Sequence, residues 1–459
     1  MSKPELKPRS ARKGVSSETN ASYAEKLSRM VACKTVWTPD NEYSAEFKRF
    51  YETVDQLFPR LISKTEKLTF GGGCFVYLIR GKNASKNIML MSHHDVVGGG
   101  ADWHSNPFEP TEKDSFLYGR GTIDTKTPLF AELQAAEELL AEGYDFDGIN
   151  LYIGSSNNGE VGGDGMVLAT EYFKKHGVRF YAVIDEGGAI TEGQIPGVAC
   201  KSAVVAVHEK SRHLFRCAAS TESKGHGGFG SVKDSAVERL CRFISEVSRR
   251  KNAIYPGKFH PEVLATFERH VPYMTFPMSF LFGHVGIFSP VIKKIMMGIP
   301  AASAMLSTSL SFTSISSGKA RDGQVRAQIA EATLFLRAVR EDDLYKGLEK
   351  IRSIGEKYSV VIEETKRDYC QPTDFNSPAF RTLEELLHEN FPDVAVAPFL
   401  LTAGTDARHF TDVADSILRF SPIDLSKKQF ASIHGADEHI SIENIGECVV
   451  FYKDLIRKI

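Results

Sequence analysis

Ile88-Met89-Leu90-Met91-Ser92-His93-His94-Asp95 is the stretch on which the reading of this chain turns. An apolar strand ends in two imidazoles and a carboxylate. Side chains alternate along an extended chain, so His93 and Asp95 share one face while His94 points away. A neutral imidazole binds a metal through one nitrogen and commonly donates from the other to a carboxylate. By itself the segment is ambiguous, and a hydrogen-bonded structural histidine is the commoner reading.

Working outward, the segments on either side alternate between strand and helix patterns. Helical spacing runs over 17–31 and 45–57, and short apolar runs at 68–70, 75–79 and 87–91 read as strands. A helix over 127–142, a strand over 149–153, a helix over 165–176 and a strand over 180–184 continue the alternation. Such a pattern predicts an α/β fold with a mostly parallel sheet covered by helices. Active groups in these sheets collect beyond the carboxyl ends of the strands.

Near Lys201 the pattern changes. Strand-like runs at 203–208 and 214–220 precede a helix over 235–249. Two more runs, 305–314 and 327–336, precede a helix over 342–358. These predict a smaller inserted α+β domain over 201–369, with 1–200 and 370–459 forming the two parts of the larger domain. The second part carries a helix over 379–390, a strand over 415–420 and a helix over 442–458. A chain of 459 residues is long enough for two cores.

Composition narrows the class. Hydrophobic content of 42% and charged content of 25% are those of a globular protein, and a net charge of −2 excludes the basic footprint of a nucleic-acid binder. The seven cysteines are scattered and form no CxxC pair, which argues against a thiolate zinc site or a disulfide framework. A reducing, cytoplasmic location is expected, and the polar start lacks the apolar core of a signal peptide. The apolar stretch 274–305 is interrupted by Pro277, His284, Pro290, Lys293, Lys294 and Pro300. It reads as a buried or lid-forming segment rather than a spanning helix, and no membrane partner is expected.

Four further segments place acids and imidazoles at predicted strand ends. Gly119-Arg120-Gly121-Thr122-Ile123-Asp124 delivers Asp124 just before a helix. A carboxylate there can bridge two cations, although an N-cap aspartate is the commoner reading of one such residue. Asn157-Asn158-Gly159-Glu160-Val161-Gly162-Gly163 follows a strand and lacks the Lys-Ser/Thr of a phosphate-binding loop. Val183-Ile184-Asp185-Glu186-Gly187-Gly188 and Ser432-Ile433-His434-Gly435-Ala436-Asp437-Glu438 complete the set. Mixed imidazole and carboxylate ligands suit zinc, with manganese or cobalt as alternatives.

In these motifs, taken in order with Gly404-Thr405-Asp406-Ala407-Arg408, the chain resembles peptidase family M-20. That metallopeptidase family includes aminoacylase-1, carboxypeptidase S and bacterial glutamate carboxypeptidases. Asp185-Glu186-Gly187-Gly188 and the long insertion before Met305 look most like the carboxypeptidase S and N-acyl amino acid hydrolase branch. The resemblance implies a zinc-exopeptidase-like domain with an inserted lid or dimerisation domain, and two zinc ions. It implies that His93, Asp124, Glu160, Asp185 and His434 bind metal, with Asp124 bridging and Asp95 orienting His93. It implies that His226, in Lys224-Gly225-His226-Gly227-Gly228, stabilises an oxyanion, often in a partner subunit's site. Arg408 would clamp a substrate carboxylate, with a surface ion pair as the competing reading.

Three positions depart from the family pattern. The phrase before Val161-Gly162-Gly163 usually carries two glutamates, the first a general base and the second a ligand. Here Glu160 holds the ligand position and Gly159 the base position. Asp322 stands where an amide that binds substrate is expected, and Arg337 is what survives of an Asn-x-Arg phrase. Two functions follow. One is a di-metal amidohydrolase of peptides or N-acyl amino acids, slowed by the missing base and dimeric through the inserted domain. The other is a catalytically inactive relative that binds a metal, ligand or partner. Replacing Gly159 by glutamate is the expected route to faster hydrolysis.

Overall fold

The computed structural model describes residues 6–40, 44–221, 235–318 and 327–459. Its framework is a ten-stranded sheet. The strand order is Glu66–Phe70, Cys74–Ile79, Ile149–Ser156, Lys86–His93, Ala182–Asp185, Ile417–Arg419, Lys201–Glu209, Ile190–Thr191 and Asp424–Leu425, with Val394–Leu401 paired to Lys201–Glu209. Lys86–His93 runs parallel to both of its neighbours, so the centre of the sheet is parallel as expected.

The period-two alternation explains why the quoted stretch is apolar throughout. Ile88 and Leu90 enter one core layer, while Met89 and Met91 enter the layer on the opposite face. Both layers are covered by helices, so neither face tolerates a polar side chain until the strand ends. Truncating Leu90, which is fully buried, to alanine is expected to cost about 2–5 kcal/mol. The helix Lys126–Ala141 is buried on most of its surface and packs against Ile442–Lys458.

The smaller sheet has four antiparallel strands in the order Ser309–Ser317, Ile329–Ala338, Ser211–Ser220 and Val360–Asp368. One face of Ser211–Ser220 presents Phe215, Cys217 and Ala219 to the helices Ala236–Ile254 and Glu341–Lys357. The expected unit boundary at 201 shifts. Lys201–Glu209 belongs to the large sheet, because it pairs in parallel with Val394–Leu401, a strand the sequence reading did not identify. Buried on both faces, 201–209 has the continuous apolar pattern of a central strand rather than the alternation of the smaller sheet.

The 274–305 stretch forms short helices, Met278–Gly283, Val285–Met297 and Pro300–Leu306, joined to Pro261–His270. They build a separate apolar cluster with Ile195, Val339 and Leu400. Among the described residues no helix is long and apolar enough to cross a membrane.

Candidate metal centre

The strand Lys86–His93 carries His93 to the carboxyl edge of the sheet. Alternation works as expected: His94 turns into the core, where its ring stacks on Phe50 at 4.8 Å and its Nδ1 meets Ser155 Oγ at 2.9 Å. Burial, and then the charge of Lys126, pull its pKa well below the ordinary value, so it is a neutral structural residue. His93 faces the opposite way. Its Nδ1 donates to the Asp95 carbonyl at 2.9 Å, which aims Nε2 at the Asp124 carboxylate.

Asp124 is not a helix cap, since Thr125 occupies that place. Its two oxygens divide between two imidazoles: Oδ1 lies 3.2 Å from His93 Nε2 and Oδ2 lies 3.0 Å from His434 Nε2. Glu160 Oε2 is 3.2 Å from His434 Nε2. Ligand atoms of His93, Asp124 and Glu160 all lie within 4.8 Å of one another.

The protonation pattern follows from how closely these acids and imidazoles approach one another. Burial opposes charge on His93, yet its bonds to Asp124 and Asp95 raise its pKa well above the ordinary value. Bonds to Asp124 and Glu160 push His434 up to about 10. Glu160 Oε1 is buried with no hydrogen-bond partner among the described residues. A buried carboxylate oxygen is costly to leave unpaired, and a cation would satisfy it. The donor set therefore fits a metal.

Asp95 does more than face His93. Its carboxylate accepts the N–H groups of Gly159 at 2.9 Å and Glu160 at 3.0 Å, which pins the loop that carries Glu160. Asp185 is buried, and its oxygens accept the N–H groups of Glu186 at 2.9 Å and Ala407 at 2.8 Å. Burial and the charge of Asp406 push its pKa up to about 7. Glu186, named from sequence only as an acid at a strand end, sits where burial and the charges of Asp185 and Asp124 raise its pKa well above the usual carboxylate range.

Gly159 is tightly enclosed. A Cβ there would lie 2.8 Å from His93 Cβ, 2.9 Å from His93 Cγ and 3.0 Å from Ser156 Oγ. Ser156 Oγ in turn donates to Asp406 Oδ2 at 2.5 Å. The obstacle to a side chain at 159 is thus steric crowding by a candidate ligand.

Two residues were given no role in the sequence reading. Buried Glu438 ion-pairs with Arg120 at 2.6 Å and accepts the N–H groups of Gly121, Ile123 and Asp124, which shapes the turn that presents Asp124. Glu209 accepts Thr405 and Arg419 and pairs with Arg408 at 3.3 Å. Arg408 is therefore in a buried ion-pair network, not a surface pair. Arg337 Nη1 donates to the Thr402 carbonyl at 2.8 Å, and burial with the charge of Arg408 lowers its pKa. Arg337 is thus close enough to Arg408 and Glu209 for their charges to act on it. His226 and Asp322 lie outside the described residues.

The family model described as Peptidase family M20/M25/M40 matches residues 89–458. The chain belongs to this family. Among M20 relatives it is similar to the N-fatty-acyl-amino acid synthase/hydrolase PM20D1.1 of Danio rerio, at 29% identity over 88% of this chain and 78% of that protein. It is similar to the probable carboxypeptidase S-like 2 of Dictyostelium discoideum, at 26% identity over 95% of this chain and 84% of that protein. The fold matches an M20 family metallo-carboxypeptidase from Sulfolobus solfataricus with a TM-score of 0.64 at 17% identity, covering 97% of this chain and 99% of that one. Human carnosine dipeptidase 1 matches with a TM-score of 0.63 at 15% identity, covering 96% and 97%. M20 membership supports a hydrolase with a metal-dependent site and a small-molecule substrate.

Proposed function

We propose that this chain is a two-zinc amidohydrolase that cleaves the amide bond of an N-acyl amino acid or a small peptide. One observation carries the reading: Asp124 divides its carboxylate between His93 and His434, with Glu160 closing the second side. His93 and Asp185 would hold one ion, Glu160 and His434 the other, and Asp124 both. When bound, the pair would acidify water and polarise the scissile carbonyl.

The chain's own residues contribute the rest. Arg408 and Arg337 offer donors to a substrate carboxylate, since guanidinium and carboxylate pair in bidentate fashion. Asp95 holds the Gly159–Glu160 backbone in place. Gly159 contributes no proton acceptor, and a missing general base lowers rate by roughly 10²–10⁴-fold. The same glycine favours a second reading, a relative that binds metal and ligand without turnover.

Homodimerisation through the smaller sheet is part of the proposal. Its edge strands Ser309–Ser317 and Val360–Asp368 carry the exposed Ile315 and Val361. A cytoplasmic location is also proposed, on the cysteine usage. Hydrolysis of a panel of N-acyl amino acids and dipeptides, with bound metal quantified, separates the two functions. Turnover that tracks metal content supports the hydrolase. Full metal occupancy with no turnover on any substrate supports the binding protein.

A further inference from the structure

The helix Val285–Met297 is apolar on both sides. Its inner face presents Ile292 and Met296, 2% and 5% exposed, to a cluster that includes Val263, Phe267 and Phe282. Its outer face presents Ile287, Val291 and Ile295 at successive four-residue steps, 74%, 50% and 53% exposed. Residues four apart stack on one helix face, so these form a stripe. Ile299 just beyond the helix, and Phe276 and Phe280 before it, are exposed too. Single exposed apolar residues are ordinary, whereas so many on one short segment mark an interaction surface.

Charge selects the occupant. From Val271 to Leu306 there is no acidic residue, while Lys293 and Lys294 are present. Since 58 of the 459 residues are acidic, a stretch of that length would ordinarily hold several. An isologous contact between two copies would set these lysines against their own counterparts. An anionic lipid surface accepts the apolar stripe and pairs the lysines at once.

The segment is built to lie on such a surface rather than cross it. Val285–Met297 has 13 residues. At ~1.5 Å per residue it falls well short of a hydrocarbon core of about 30 Å. The segment is also tied firmly to the body of the protein. Lys210 Nζ donates to the carbonyls of Ala304 and Ser307 at 2.9 and 2.8 Å and to Ser309 Oγ at 2.8 Å. Arg340 pairs with buried Glu262, on the preceding helix, at 2.8 Å.

We propose that the face formed by Phe276, Phe280, Ile287, Val291, Ile295 and Ile299 docks this protein onto the surface of an anionic lipid bilayer. This replaces the expectation of no membrane partner, which rested on whole-chain composition and on the absence of a spanning pattern. Neither quantity registers a local acid-free apolar face. The inference stands whether or not the metal centre turns over.

Flotation of the full-length protein with vesicles tests it. The protein is expected to float with vesicles of phosphatidylcholine mixed with phosphatidylglycerol, and less with phosphatidylcholine alone. Ile287→Asp combined with Ile295→Asp should abolish flotation with circular dichroism and thermal melting unchanged, because both side chains face solvent. Lys293→Gln and Lys294→Gln should each weaken partitioning roughly fivefold on the mixed vesicles only. Failure to float with either composition overturns the proposal, as does flotation that the two aspartates leave intact. A dimer in sedimentation velocity that Ile295→Asp dissociates, with no vesicle capture, assigns the face to a second copy and overturns it as well.

Discussion

Gly159→Ala and Gly159→Glu, compared as a pair, separate two effects that the sequence alone would merge. The first is steric. A Cβ at 159 would sit 2.8 Å from His93 Cβ and 2.9 Å from His93 Cγ. Non-bonded carbons prefer about 3.5–4.0 Å, so His93 must move by something near 1 Å or the loop must lift. His93 is held by the Asp95 carbonyl at 2.9 Å, and the loop by the Asp95 carboxylate, so neither yields freely. Overpacking of this kind costs about 1–3 kcal/mol. Charged against a candidate ligand, that is roughly 5–150-fold in metal affinity for alanine and glutamate alike. The second effect is chemical and belongs to glutamate only: a positioned base is worth roughly 10²–10⁴-fold. Alanine is therefore expected to bind zinc more weakly than wild type and to turn over no faster. At saturating zinc, glutamate is expected to exceed alanine by roughly 10²–10⁴-fold, while its gain over wild type is smaller. Zinc titration and steady-state hydrolysis on one N-acyl amino acid supply both ratios. Wild-type zinc affinity in Gly159→Ala would refute the steric argument. Equal rates for alanine and glutamate would refute the assignment of 159 as the base position.

Three further outcomes are expected. Asp124→Asn keeps the shape but removes the charge between the imidazoles, so zinc content by mass spectrometry should fall and hydrolysis should drop to background. His93 is held well above its ordinary pKa and His434 at about 10 in the metal-free state, so both carry protons at neutral pH. Zinc loading should therefore release about two protons, and affinity should rise with pH until about 10, as read by calorimetry in buffers of different ionisation enthalpy. The sign for stability is the reverse in the metal-free protein: the contribution of His434 is complete below about 6.5 and is lost as pH rises through about 10, and that of His93 is likewise lost on the alkaline side of its ordinary value. Arg337→Gln should raise KM for a carboxylate substrate roughly 10–150-fold with kcat little changed, because it removes a charged donor of about 1.5–3 kcal/mol from binding.

The motif residues were legible in the sequence because their chemistry forces a pattern. An apolar strand must stop where polar ligands begin, and alternation then separates His93 from His94. The sequence reading named His93, Asp124, Glu160, Asp185 and His434 as ligands only through the family resemblance; ligand atoms of His93, Asp124 and Glu160 lie within 4.8 Å of one another, His434 reaches Asp124 and Glu160, and Asp185 accepts backbone N–H groups. The reading did not find Val394–Leu401, whose pairing with Lys201–Glu209 moved the unit boundary. A strand buried along nearly its whole length has no alternation to announce it, and its partner is distant in sequence. Glu438 and Glu209 were missed for a related reason. Their work is to accept backbone N–H groups and guanidiniums from remote segments, and no local spacing encodes that. The crowding at Gly159 is likewise a property of packing: the sequence shows a missing carboxylate, and only the fold shows that His93 fills the space.

Anomalous scattering from crystals of the zinc-loaded protein tests the central claim most directly. The account predicts two zinc peaks about 3.5–4 Å apart, one on each side of the Asp124 carboxylate, with His93 on the first and Glu160 and His434 on the second. A single peak, or peaks that leave Asp124 uncoordinated, would contradict it.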